Sequence, residues 1–175
     1  GTLYSMDAKM NRFEWALQKF KDEVFVAPKR LISNPFDRPS SGKRLDAQLL
    51  SVFENKDLNQ SRLPIRIAIQ LKDDPSATVL ERGEARKALR AAMATTDVFE
   101  PGSWNGVDAT SAAQSRPFLI SEARALGLGP VVVIDVLGDR AAELKDADLV
   151  IQPDLKDISP TDFHKRTDAA FRGKK

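Results

Sequence analysis

With 175 residues, 42% apolar and 30% charged, the chain can bury one core without staples, so a single domain over 1–175 is expected. Its 27 basic and 25 acidic side chains leave a net charge of +2, and no Lys/Arg block is interleaved with aromatics, which excludes the footprint of a nucleic-acid binder. Zero cysteine excludes disulfides, thiolate-bound metals and thiol catalysis, and the absence of a long apolar run or a charged-then-apolar leader favours a soluble, cytoplasmic protein with no transmembrane segment.

From Asp7 to Lys21, Met10, Phe13, Trp15, Ala16, Leu17 and Phe20 recur mostly at three- and four-residue spacing. This predicts an amphipathic helix capped by Asp7, its aromatic stripe turned to the core. Pro28, Pro35 and Pro39 then mark an irregular loop. Ser41 can cap a second helix running to about Phe53, with Leu45, Leu49, Leu50 and Phe53 on one face. In "LPIRIAIQL", Leu63, Ile65, Ile67, Ile69 and Leu71 alternate with Arg66, Ala68 and Gln70, the pattern of a half-buried strand. A turn at Asp73 to Ser76 leads into a returning strand, "ATVLERG", and Glu84 to Met93 reads as a helix.

Asn105-Gly106 is a strong hairpin signal, because both residues tolerate positive φ. The small and polar residues beyond it, Asp108 to Ala113, read as a loop that could carry a site. Ile120 to Leu126 is helical and Gly127 ends it. "VVVIDV" is a continuous β-branched run, the pattern of a strand covered on both faces in a parallel sheet, and "ADLVIQP" is a second. Ser159-Pro160 starts a last helix that carries Phe163 and Phe171 and has no glycine cap before the chain stops at Lys175. The alternation of helices and buried strands predicts an α/β fold with a mainly parallel sheet flanked by helices.

Chemistry is sparse. His164 is the only histidine and falls between Phe163 and Lys165 on the terminal helix, a surface position. Asp73 and Asp74 are consecutive in a turn, so their carboxylates do not converge on a metal. Asn59-Gln60-Ser61 matches a glycosylation sequon that matters only on export. The chain has no G-x-S-x-G and no Walker loop, and "GLGP" is too short for a dinucleotide fingerprint. Nothing in the pattern calls for a metal or another cofactor.

The run Arg90 to Leu137, "RAAMATTDVFEPGSWNGVDATSAAQSRPFLISEARALGLGPVVVIDVL", resembles the patatin-like phospholipase segment "RASxAIPGVFPPVxIDGxxYVDGGVxxPxPVxxARxLGAxxVIxVDV", without a gap as far as Gly127. "SSGKRLDAQL", "LPIRIAIQLKD", "ATVLERGE" and "ADLVIQPDLKDISPTDF" extend the likeness over nearly the whole chain, and "GTLYS" is similar to the "GALYA" that follows the family's nucleophile elbow. The resemblance implies a patatin-like α/β domain lacking the family's first strands and its elbow. Family members hydrolyse acyl esters with a Ser–Asp dyad, the carboxylate orienting and activating the hydroxyl.

The ungapped match puts Ser111 at the dyad Asp position, with Ala112 and Ala113 in place of both glycines, and "AIPG" becomes "ATTD" at Ala94 to Asp97. A hydroxyl cannot serve as a charged base at neutral pH. Asp108 is the alternative, reached if "VDAT" stands for "VDGG" in a shortened hairpin. Three expectations follow: a patatin-like protein that is catalytically inactive in this chain; one part of a two-chain phospholipase or esterase that uses Asp108 and a serine outside the chain; or a lipid- or protein-binding module. The partners implied are an upstream half or second chain and a lipid or acyl ester ligand.

Overall fold

The computed structural model of the chain describes residues 2–7, 41–95, 98–136, 138, 141–155, 157–158 and 165–173. The predicted helix beyond Asp7, the proline-rich loop, His164 and the Ser159-Pro160 helix start lie outside these residues. The chain divides into two compact units, Gly1–Pro117 and Phe118–Lys175.

Unit 1 contains α1 (Thr2–Asp7), α2 (Lys43–Phe53), a 3-10 turn (Leu58–Gln60), β1 (Ile67–Leu71), β2 (Ala77–Leu80), α3 (Ala85–Ala92), β3 (Gly102–Trp104) and β4 (Val107–Ser111). Its four strands form one antiparallel sheet in the order β2-β1-β4-β3. The mainly parallel sheet expected from the sequence is therefore not what the described residues form. The alternation in β1 explains the packing: Ile67 and Ile69 enter the core with Ala109 of β4, while α3 covers β1, β3 and β4 and also packs against α2. Leu45, Leu49 and Phe53 of α2 complete that core; Leu50 does not, being 46% exposed.

Several boundaries shift for identifiable reasons. Helix begins at Thr2, and Asp7 is the last residue of α1. The Ser5 carbonyl accepts the N–H groups of Arg62 and Leu63, and Pro64 has none to give to a ladder. The first half of "LPIRIAIQL" is thus tied to α1, and the strand starts at Ile67. Ser41 does not cap α2. The cap residue is Gly42, left-handed at φ 71, whose carbonyl accepts the Asp46 N–H at 2.8 Å. Residues Val107 to Ser111, expected to be loop, form a strand inside the sheet, because fully buried Ala109 fits beneath α3.

Unit 2 contains α4 (Ile120–Ala125), β5 (Val132–Ile134), a 3-10 turn (Ala141–Leu144), β6 (Leu149–Ile151) and α5 (Arg166–Arg172). Gly127, at φ 62, ends α4 as predicted. Strands β5 and β6 pair in parallel. Val131 and Val133 pack with Leu144, Phe118, Ile120 and Val150. On the other side Val132, Ile134, Val136, Leu149 and Ile151 are exposed, with no cover among the described residues. "VVVIDV" is therefore covered on one face where its sequence anticipates two. Helix α5 ends at Arg172 with Gly173 in the cap position, contrary to the expectation of a helix running to the end of the chain.

Candidate functional site

The two candidate site residues both lie on β4, and the β3–β4 hairpin fixes them. Asn105 at φ 51 and Gly106 at φ 83 form the turn, and Trp104 pairs with Val107 across it. Positive φ at both central residues is the type I′ geometry that suits the twist of two-residue hairpins. Register then follows: Ser103 opposite Asp108, Gly102 opposite Ala109, and on the other edge of β4 Ile69 opposite Ser111.

Asp108 and Ser111 are three residues apart on a strand, so they face opposite sides of the sheet. The geometry separates them; one site cannot use both. Asp108 is on the solvent side, its side chain 59% exposed, with Lys72 Nζ at 3.7 Å. A pair this open is worth about 0–1 kcal/mol. It borders an open groove of about 690 Å³ lined also by Lys72, Asp74, Pro75, Pro101 and Thr110.

Ser111 ends β4 on the core side. Its N–H donates to the Ala94 carbonyl at 3.0 Å, and its Oγ accepts the Ala113 N–H at 3.3 Å, a hydroxyl-capped turn. Among the described residues Ser111 Oγ hydrogen-bonds to no titratable side chain. The turn is fastened further on: Arg116 N–H donates to the Ala112 carbonyl at 2.7 Å, and Ser115 Oγ lies 3.1 Å from Gln70 Oε1. Gln70 in turn donates to the carbonyls of Asp74 and Ser76, so one amide ties the β1–β2 turn to the loop after β4.

The sequence gives no hint of the role of Arg90. On α3 it is 6% exposed, donating through Nη2 to the carbonyls of Ser41 at 3.2 Å and Glu100 at 2.9 Å. Its Nε lies 3.2 Å from Asp46 Oδ1, an ion-pair contact without hydrogen-bond alignment, and its guanidinium stacks 5.7 Å from the Phe99 ring centre. A Cβ on Gly42 would overlap that guanidinium. Gly42 is needed here twice, for its positive φ and for the room it leaves. Arg90 thus joins the "SSGKRL" segment to the segment that leads into the hairpin. Ala88 and Ala91, close to it on α3, are buried as well.

Unit 2 has its own buried carboxylate, Asp135 just after β5, which accepts from Gln152 Nε2 at 2.8 Å and from the Gly138 N–H at 3.0 Å. Asp148, at the entry to β6, accepts the Val131 N–H at 2.7 Å and pairs with Arg124 at 3.1 Å. The Val131 N–H first, and Arg124 second, hold its carboxyl below the usual carboxylate range. Both arrangements pin the start or end of a parallel strand.

Among the described residues no group of three or more acidic or imidazole side chains could hold a metal ion, and no helix is long and apolar enough to cross a membrane. Asn59 of the sequon sits exposed in the 3-10 turn, its N–H taken by Asp57 Oδ1 at 3.0 Å. Neither the protein-family models nor the curated proteins compared with this chain give a match.

Proposed function

We propose that this chain is a patatin-like α/β protein related to lipid acyl hydrolases that does not itself hydrolyse esters. The observation that carries the reading is Ser111. It stands where the resemblance requires a carboxylate, with its N–H bonded to Ala94 and its hydroxyl engaged by the Ala113 N–H. A dyad needs a charged oxygen aimed at the nucleophile, and a hydroxyl committed to its own turn cannot supply one. Purified protein should release no p-nitrophenol from p-nitrophenyl butyrate and take no label from a fluorophosphonate probe. Sustained turnover abolished by that probe would overturn the proposal.

A second reading is favoured by the groove beside Asp108: one part of a two-chain phospholipase or esterase in which Asp108 is the dyad carboxylate and the serine comes from another polypeptide. An acyl ester would lie along Pro75, Pro101 and Thr110, and the approach of the second chain would have to remove Asp108 from water and from Lys72 to give it catalytic strength. Mass spectrometry of the natively purified protein tests this. A co-purifying polypeptide with G-x-S-x-G, and ester hydrolysis lost on Asp108→Asn, would support it. Activity retained in that variant would count against it.

A further inference from the structure

We propose that Asn105-Gly106 is a site of spontaneous main-chain ageing, at which Asn105 converts through a cyclic imide to aspartate and isoaspartate and the β3–β4 hairpin is unlatched. Both residues are exposed, and Asn105 is one of two non-glycine residues with positive φ among those described. Gly106 has no Cβ to crowd its nitrogen, and apart from its chain neighbours no atom lies within 4 Å of where one would stand, so the turn tip is open. Among the described residues no acceptor takes the Gly106 N–H.

Two other exposed asparagines provide a contrast. Asn55 and Asn59 precede Lys56 and Gln60, whose own Cβ atoms crowd the nitrogen and whose N–H groups donate to the carbonyls of Phe53 and Asp57, both at 3.1 Å.

The step balances without a co-reactant other than water. The Gly106 nitrogen, giving up its proton, bonds to Asn105 Cγ; the Cγ–Nδ2 bond breaks and ammonia leaves with that proton. Water then opens the imide. Cleavage at the side-chain carbonyl gives aspartate, and cleavage at the main-chain carbonyl gives isoaspartate, with an extra methylene in the main chain. A two-residue turn has no slack for that atom, since loop length and turn type set the register of the strands it joins. β4 pairs with β1 as well as β3, so a change at the tip reaches the strand that carries Asp108 and Ser111.

The test is to incubate the full chain in mildly alkaline buffer at body temperature and map peptides after labelling with an isoaspartyl methyltransferase. Label should accumulate on the Asn105 peptide and not on those of Asn55 or Asn59. Asn105→Gly should abolish it, because Gly-Gly also accepts positive φ at both turn positions. In the aged fraction, amides of Val107 to Ser111 should exchange faster with solvent than in fresh protein. Equal label at Asn55 or Asn59, or label at Asn105 only after denaturation, would overturn the site; unchanged exchange in β4 would overturn the unlatching.

Discussion

Unit 1 buries the inward-facing aliphatic side chains of its sheet, whereas unit 2 leaves four of its six strand residues exposed, although both are built from helices on a sheet. In unit 1 the strands alternate: Ile67 and Ile69 point inward while Arg66 meets Glu81 at 2.7 Å outside, so one layer of helices is a sufficient cover. In unit 2 the strands do not alternate. Val131 and Val133 find Leu144 and Phe118, but Val132 and Ile134 on β5, Val136 just beyond it, and Leu149 and Ile151 on β6 are exposed. The lesson is that strand pattern sets how many covers a sheet requires. Exposed aliphatic side chains grouped on one face of a sheet often mark a surface that another element or partner covers.

The contrast can be broken most forcefully at Ile69, which is fully buried between its neighbours on β2 and β4. Ile69→Ala should cost about 2–5 kcal/mol. In urea, amides of β1 and β4 should lose protection together. The same exchange measurement sharpens the comparison inside unit 2. Val133→Ala, at a site 7% exposed, should cost about 2 kcal/mol. Ile134→Thr, one residue along at a site 63% exposed, should stay within about 0.5 kcal/mol. A large cost at Ile134 would mean that its face is covered after all.

The smallest effect concerns acid. Because folding lowers the Asp148 pKa, its contribution is complete above the ordinary carboxylate value and is lost as pH falls through the lowered one. Wild-type protein should therefore lose protection around Val131 on acidification below the ordinary carboxylate range. Asp148→Asn should show a flatter response there, as measured by amide exchange of the β5 peptide across the acid range.

Particular residues explain how far the sequence could be read. The Asn105-Gly106 turn and the Gly127 helix stop were legible because each is a local demand for positive φ that few residues meet. The helix faces of Leu45, Leu49 and Phe53 were legible from spacing alone. The start of β1 was not, since what removes Leu63 from the strand is a carbonyl on Ser5, far away in the chain. The nature of Val107 to Ser111 was hidden for a related reason: Asp108 and Ala109 have weak strand preference, and only the helix above Ala109 makes its smallness an asset. At the candidate site, the sequence singled out Asp108 and Ser111 as rivals but read their segment as loop, so it could not say that they face opposite sides of a strand. Arg90 was silent for the same reason as Leu63, its partners being distant main-chain atoms.

Arg90 and Gly42 stand 48 positions apart in the chain and share one volume of space. Neither can be altered as an independent character: a side chain at position 42 would displace the guanidinium, and a smaller residue at position 90 withdraws the bonds to Ser41 and Glu100 while leaving the glycine held by its positive φ alone. Changes at two such sites do not add. The dependence is lopsided: losing Arg90 would leave Gly42 bound to its place by backbone conformation, whereas losing Gly42 would dislodge Arg90 as well.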